Sequence, residues 1–170
     1  KVVLERRGDD AIDIRFPERC PICDSDIERV KIIKHSKAGR TEAEGAAYRC
    51  VGRLVCQAQL NQAIIHYASR KALDIDGLGE KIVEQLVGEG LVKSPADLYK
   101  LKFEDLHQLE GFAELSARNL LASIADRKSV PLSKLIFALG IPDVGEETAK
   151  VLAEAFGGID KTRLALPELL

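Results

Sequence analysis

Methionine occurs nowhere in the 170 residues, so no initiator opens the chain. Lys1-Val2-Val3-Leu4 reads as the middle of a strand. Leu164-Ala165-Leu166-Pro167-Glu168-Leu169-Leu170 begins an apolar pattern that stops before it can be buried. The expectation is a piece excised from a larger protein. Also missing is any apolar run long enough to span a bilayer, or a cleavable leader, which argues against a membrane protein and for a cytoplasmic one. Neither sign of charge dominates: 25 Lys and Arg face 27 Asp and Glu, net −2, which argues against binding of nucleic acid by bulk electrostatics. There is no cluster of carboxylates suited to catalytic metals. His35, His66 and His107 stand apart from any carboxylate and nucleophile, and are read as solvated or packed. What remains is an ordinary soluble composition, 46% apolar and 31% charged, long enough for one good core or two small ones.

The near-neutral total hides an uneven distribution. Residues 28 to 53 carry seven basic side chains (Arg29, Lys31, Lys34, Lys37, Arg40, Arg49, Arg53) against three acids (Glu28, Glu42, Glu44), whereas residues 54 to 170 carry thirteen against seventeen. A basic run of this kind is either a solvated loop face or a surface for phosphate.

Four cysteines lie in the same region. Cys20-Pro21-Ile22-Cys23 is a C-x2-C knuckle, and Cys50 and Cys56 close a second, looser pair with five residues between them. Four thiolates suit tetrahedral zinc. Two disulfides are the alternative, but nothing else in the sequence indicates an oxidising compartment. Four cysteine ligands leave no open coordination position, so zinc here is expected to be structural, adding folding free energy to about 40 residues poor in apolar material.

Three segments repeat one pattern of an apolar residue, a short turn and a helix: Ile75-Asp76-Gly77-Leu78-Gly79-Glu80, Leu109-Glu110-Gly111-Phe112-Ala113-Glu114 and Ile141-Pro142-Asp143-Val144-Gly145-Glu146. Their starts lie 34 and then 32 residues apart, as in tandem supersecondary units. Each is followed by a stripe expected to be buried: Ile82, Val83 and Leu86, then Ala117, Leu120 and Leu121, then Ala149, Val151 and Leu152. A glycine turn at a helix start is either plain capping or a place where unpaired backbone NH groups meet an anion such as phosphate. Glu80, Glu114 and Glu146 fit the preference of helix starts for negative charge.

Along the chain, residues 1 to 16 read as a β-hairpin ended by Pro17. A strand is expected at Arg29 to Ile33, and a mobile polar stretch at Lys37 to Ala46. A helix follows over Gln57 to Lys71, and helices then fill the chain to about Phe156, including Pro95 to Lys100, Phe103 to Gln108 and Leu132 to Ala138. The expected fold is mainly α, a tandem bundle preceded by a small β-rich four-cysteine module.

The three turns resemble the helix-hairpin-helix family, whose hairpins grip the DNA backbone without reading sequence. Ala113 stands where that family's second glycine would be, and Asp143 where its first would be. The order of parts is more specific. A four-cysteine module, then a helix containing His66-Tyr67-Ala68-Ser69-Arg70-Lys71-Ala72, then Leu73-Asp74-Ile75-Asp76-Gly77-Leu78-Gly79-Glu80-Lys81, Leu98-Tyr99-Lys100-Leu101, Leu109-Glu110-Gly111-Phe112 and Ala138-Leu139-Gly140-Ile141-Pro142-Asp143-Val144-Gly145 closely resemble the NAD-dependent DNA ligases of bacteria.

That resemblance implies residues 1–17 as the tail of an oligonucleotide-binding barrel, 18–56 as a zinc finger with ligands Cys20, Cys23, Cys50 and Cys56, and 57–170 as a helix-hairpin-helix domain truncated at its end. Compared with the family's spacing, the interval from Cys23 to Cys50 is longer by about a dozen residues around Lys34 to Ala46. The resemblance implies backbone contacts to nicked duplex DNA around Gly77, Leu78 and Gly79, Gly111 and Ala113, and Val144 and Gly145, with Lys81 and Arg118 as side-chain candidates. The parent enzyme would seal nicks in replication and repair, using NAD and Mg2+ that this piece does not bind. The family's adenylated lysine lies in a Lys-x-Asp-Gly motif, which does not occur here, so the piece by itself is expected to be an inactive, monomeric clamp. A structural adaptor, with hairpins that contact protein instead of DNA, is the alternative.

Overall fold

The computed structural model describes residues 8, 12, 15–36 and 39–165. The hairpin expected over residues 1 to 16 lies almost wholly outside the described residues, as does the apolar segment from Leu166. Two compact units are present, Lys1–Gly52 and Arg53–Leu170.

The first unit is built on an antiparallel ribbon of β1 (Ile27–Ser36) and β2 (Gly39–Cys50). Thus the polar stretch expected to be mobile, Lys37 to Ala46, is from Gly39 onward a strand. Its Gly, Ala, Glu and Arg composition carries little strand propensity, and backbone pairing with β1 supplies what the side chains do not. The register shifts between Arg29 and Lys31, where β2 holds extra residues. Gly45 sits in that bulge because a Cβ there would come within 2.7 Å of the Val30 carbonyl. Arg29 secures it, donating from Nε to the Gly45 carbonyl at 2.6 Å and from Nη1 to Glu44 Oε2 at 2.8 Å.

The second unit is helical. After a 3-10 turn at Arg53–Val55 come α1 (Gln57–Ala68), α2 (Glu80–Gly88), a 3-10 helix Pro95–Lys100, α3 (Phe103–His107), α4 (Glu114–Asp126), α5 (Leu132–Ala138), α6 (Glu146–Phe156) and α7 (Ile159–Ala165). The last helix lies beyond the expected limit at Phe156. Gly157, left-handed at φ +66°, ends α6, and Thr162 is the buried residue of α7. The helices pack as successive pairs, α1 with α2, α3 with α4 and α5 with α6.

One core serves the first two pairs. Leu60, Ile64 and Tyr67 from α1 meet Val83 and Leu86 from α2, Leu98 from the 3-10 helix, Leu106 from α3, and Ala117, Leu120 and Ile124 from α4. Each large side chain so buried contributes about 1.5–3 kcal/mol. Most of the expected stripes are on this face. Val151 is not: it is 64% exposed, while Ala149 is buried and Leu152 half-buried. Two residues along a helix turn by about 200°, so a neighbour of Ala149 must lie three or four positions on, at Leu152 or Ala153.

Three polar contacts tie the pairs together. His66 Nε2 lies 2.8 Å from the Phe137 carbonyl, joining α1 to α5, which confirms its reading as a packed histidine. The Tyr67 and Tyr99 hydroxyls pair at 3.1 Å. Arg127, just after α4, donates from Nε to the Asp74 carbonyl at 3.0 Å and approaches Asp74 Oδ2 at 3.4 Å. It thereby holds the loop that leads into the first turn.

Candidate nucleic-acid interface and metal centre

The three repeated segments form one turn three times. In each, the amide of the fourth residue bonds the carbonyl of the first: Leu78 to Ile75 at 3.4 Å, Phe112 to Leu109 at 3.2 Å and Val144 to Ile141 at 3.1 Å. The third residue is left-handed in every copy, Gly77 at φ +83°, Gly111 at +74° and Asp143 at +64°. These are the features of a type II turn, and Pro142 occupies the position where proline pre-sets that turn. Asp143 therefore keeps the geometry without glycine, as aspartate can in the left-handed region.

Each turn then delivers the N-cap of a helix: Gly79 to α2, Ala113 to α4 and Gly145 to α6, with no side chain capping the first amides. Helix closure begins with Ile82 and Val83 to Gly79, both at 3.0 Å, Ala117 to Ala113 at 3.0 Å and Ala149 to Gly145 at 2.9 Å. The first helical amides consequently point outward beside exposed backbone. Ile75 and Leu78 are buried, while Gly77 and Gly79 are exposed, so apolar residues anchor the turn from below.

This geometry sorts the candidate residues. The Leu78 and Val144 amides are taken up inside their turns, so those two residues act as anchors. Gly77 is needed for its backbone. Gly79 and Gly145 are different: their φ angles of −80° and −81° are open to any residue, and a Cβ at either would meet nothing within 4 Å. Ala113 shows that a methyl group fits there. Glycine at Gly79 and Gly145 leaves clear approach to the helix amides from outside.

Lys81 is exposed in the first turn of α2. Arg118 is engaged: it donates from Nε and Nη2 to Glu114 Oε1 at 3.0 and 2.8 Å, and lies 5.1 Å from the centre of the Phe103 ring.

The four cysteines come together. Their sulfur atoms all lie within 4.8 Å of one another, and none is in a disulfide. A tetrahedral site with Zn–S bonds of ~2.3 Å spaces its sulfurs ~3.8 Å apart, which this set fits. The knuckle is shaped by Cys20, whose amide bonds the Ser25 carbonyl at 2.8 Å, and by Asp24, whose amide bonds the Cys20 carbonyl at 2.9 Å. Arg19 braces it from Nε to Asp24 and from Nη1 to Asp26, at 2.9 and 2.8 Å.

The Gly52 amide lies 3.2 Å from Cys50 Sγ, the geometry of a donor to thiolate. A Cβ at Gly52 would approach Ser25 Oγ to 2.8 Å and Cys23 Sγ to 3.0 Å, so only glycine fits beside the sulfurs. Sequence reasoning passed over Gly52; its signal was a glycine two residues beyond a ligand cysteine.

The thiols are already perturbed. The Ser25 hydroxyl and amide hold Cys23 down to about 6. At Cys50 the Gly52 amide pulls downward, but burial and the Cys23 and Cys20 sulfurs outweigh it and push the thiol up to about 11. Close sulfurs cannot all ionise together without a cation, and a bound metal ion removes that conflict.

Three matched turns, each opening a helix, define a tandem helix-hairpin-helix protein with a four-cysteine group suited to metal. Comparison with known families agrees: the SAM-like helix-hairpin-helix tandem matches residues 69–126, covering the first two turns, and the helix-hairpin-helix motif matches residues 134–170, covering the third. Over all 170 residues the chain is 61% identical to a DNA ligase of Pseudomonas fluorescens, 62% to one of Pseudomonas aeruginosa and 61% to one of Pseudomonas putida. The chain spans about a fifth of these relatives, 22%, 21% and 22% of their respective lengths. Among the described residues, no helix is long and apolar enough to cross a membrane.

Proposed function

We propose that the chain is the backbone-gripping part of an NAD-dependent DNA ligase, which holds nicked duplex while other parts of the enzyme perform the chemistry. The observation that carries this reading is the pair of glycines Gly79 and Gly145, which the fold itself does not require and which open the helix amides to an external anion. A phosphate oxygen there would accept from the amides at the start of α2 and of α6, favoured by the helix dipole. Such contacts fix position on the duplex and carry no base specificity.

In such an enzyme NAD, bound elsewhere, would supply the AMP that activates the 5′-phosphate for attack by the 3′-hydroxyl. This segment, lacking the Lys-x-Asp-Gly motif, contributes binding and no covalent step. Zinc held by Cys20, Cys23, Cys50 and Cys56 would stabilise the cysteine module, and NAD and Mg2+ belong to the rest of the enzyme. We assign it as a cytoplasmic monomer acting in replication and repair. The adaptor reading draws support from the second hairpin alone, where Ala113 narrows the approach and Arg118 is committed to Glu114.

The test is fluorescence anisotropy with nicked and intact duplexes of one sequence, each at two salt concentrations. The clamp requires binding that weakens steeply with salt as counterions are released. Tighter binding to the nick supports substrate location by this segment. Gly79→Val, which the backbone permits, is expected to lower affinity about tenfold, ~1.4 kcal/mol, with unchanged melting. Salt-insensitive or absent binding would leave the adaptor in its place.

A further inference from the structure

A cavity of about 200 Å³ on the helical unit is lined by Lys71, Ser133, Lys134, Phe137, Glu146 and Lys150. It is smaller than the usual site for a drug-sized ligand. Its cations come from three places in the chain. Lys71 lies in the loop between α1 and the first turn, Lys134 on α5, and Lys150 one helical turn above Glu146 on α6. Phe137 gives the cavity an apolar wall.

Two of these lysines face carboxylates, Lys71 toward Glu146 and Lys150 toward Glu147, whereas the bond of Lys134 is to a carbonyl. Lys134 Nζ donates to the Lys71 carbonyl at 2.8 Å, which leaves its charge without a carboxylate in that contact. Lys71 Nζ is 3.7 Å from Glu146 Oε1, beyond hydrogen-bonding distance, and 77% of its side chain is exposed. Lys150 bonds Glu147 at 2.6 Å, yet it too borders the cavity. Three lysines and a serine thus line one cavity together with Glu146, beside the first turn of α6, the helix opened by the third hairpin.

We propose that Lys71, Lys134 and Lys150 form a side-chain site for a phosphate oxyanion, filled by a DNA backbone phosphate next to the third hairpin. The inference rests on the clamp reading and adds to it. Amides hold the strand at the turn, and ammonium groups hold an adjacent phosphate. Glu146 is the competitor: it keeps Lys71 near the cavity in the free protein and yields it when phosphate enters. Because Lys71 shares a loop with Gly77, the site links the first and third hairpins on one strand.

The experiment measures duplex affinity of the 170-residue chain across a salt series, for wild type, Lys134→Gln/Lys150→Gln, Glu146→Gln and the control Lys93→Gln, with melting curves to verify folding. The double variant is expected to flatten the slope of log affinity against log salt by about 1, and to lower affinity about tenfold at low salt. Glu146→Gln is expected to raise affinity severalfold. Lys93→Gln removes one charge elsewhere and keeps the slope.

A wild-type protein that binds steeply, beside a folded double variant with the slope of the control, overturns this site and leaves the clamp standing. If that double variant alone also loses saturable binding of inorganic phosphate, the cavity is a free-phosphate site, and the DNA assignment is again overturned. A wild type that does not bind duplex removes both readings.

Discussion

Gly77 and Asp143 occupy the same place in two copies of one turn, both left-handed, at φ +83° and +64°. Glycine reaches this region without strain and aspartate with little, whereas a β-branched residue is a genuine outlier there. Asp143→Gly is therefore expected to change stability by less than about 0.5 kcal/mol, and Asp143→Val to cost about 1–3 kcal/mol. Denaturant unfolding of both variants checks this. Equal losses would mean that the third turn depends on the Asp143 side chain and not on its backbone.

Leu120 connects that geometry to the core. It is buried on α4, and a Cβ at Gly77 would lie 3.8 Å from its own Cβ. Leu120→Ala is expected to cost about 2–5 kcal/mol and to loosen the first turn as well as the second helix pair. Amide exchange at Leu78 and Val83, compared with exchange in α6, gives the distribution of the damage.

Removal of metal should act locally. Chelation leaves four sulfurs crowded within 4.8 Å, with one thiol held near 6 and another near 11. Residues 18 to 56 are expected to lose protection from proteolysis while α1 to α5 keep theirs. Bound zinc should fall to zero in Cys20→Ser with the helical signal nearly intact. Simultaneous melting of both regions would show one shared folding unit.

Asp97 supplies a test by pH. Its carboxylate accepts from Lys100 Nζ at 2.8 Å, the Ser94 hydroxyl at 2.9 Å and the Lys93 amide at 3.1 Å, which holds it down to about 2 from the ordinary 3.8. A depressed carboxylate stabilises the fold above its unfolded value, and that contribution disappears as pH falls from about 4 toward 2. Asp97→Asn should therefore be less stable than wild type at neutral pH, with the difference closing through that window. A constant difference across the window would place the effect in packing.

The sequence displayed the site better than it displayed the fold around it. Turn chemistry is local: Ile75 to Gly79 and its two copies carry their own hydrogen bond and helix start, so three similar strings could be read directly. Cysteine spacing is local in the same sense. The strand Gly39–Cys50 was hidden because its stability comes from its partner and not from its own residues. Val151 is apolar, yet its angle about the helix turns it away from Ala149 and into solvent. Gly52 and Arg127 act across the fold, one against sulfurs brought in from elsewhere and the other against Asp74, 53 residues away. No periodicity marks such residues before the chain has closed.

The bond from Arg127 to Asp74 makes a loop of chain that contains the first two turns and most of the buried core. The halves of that loop are held by side chains as well as by covalent backbone. A break in the exposed segment at Lys93 should thus leave two peptides that find each other again in solution, each bringing one hairpin and part of a common apolar face.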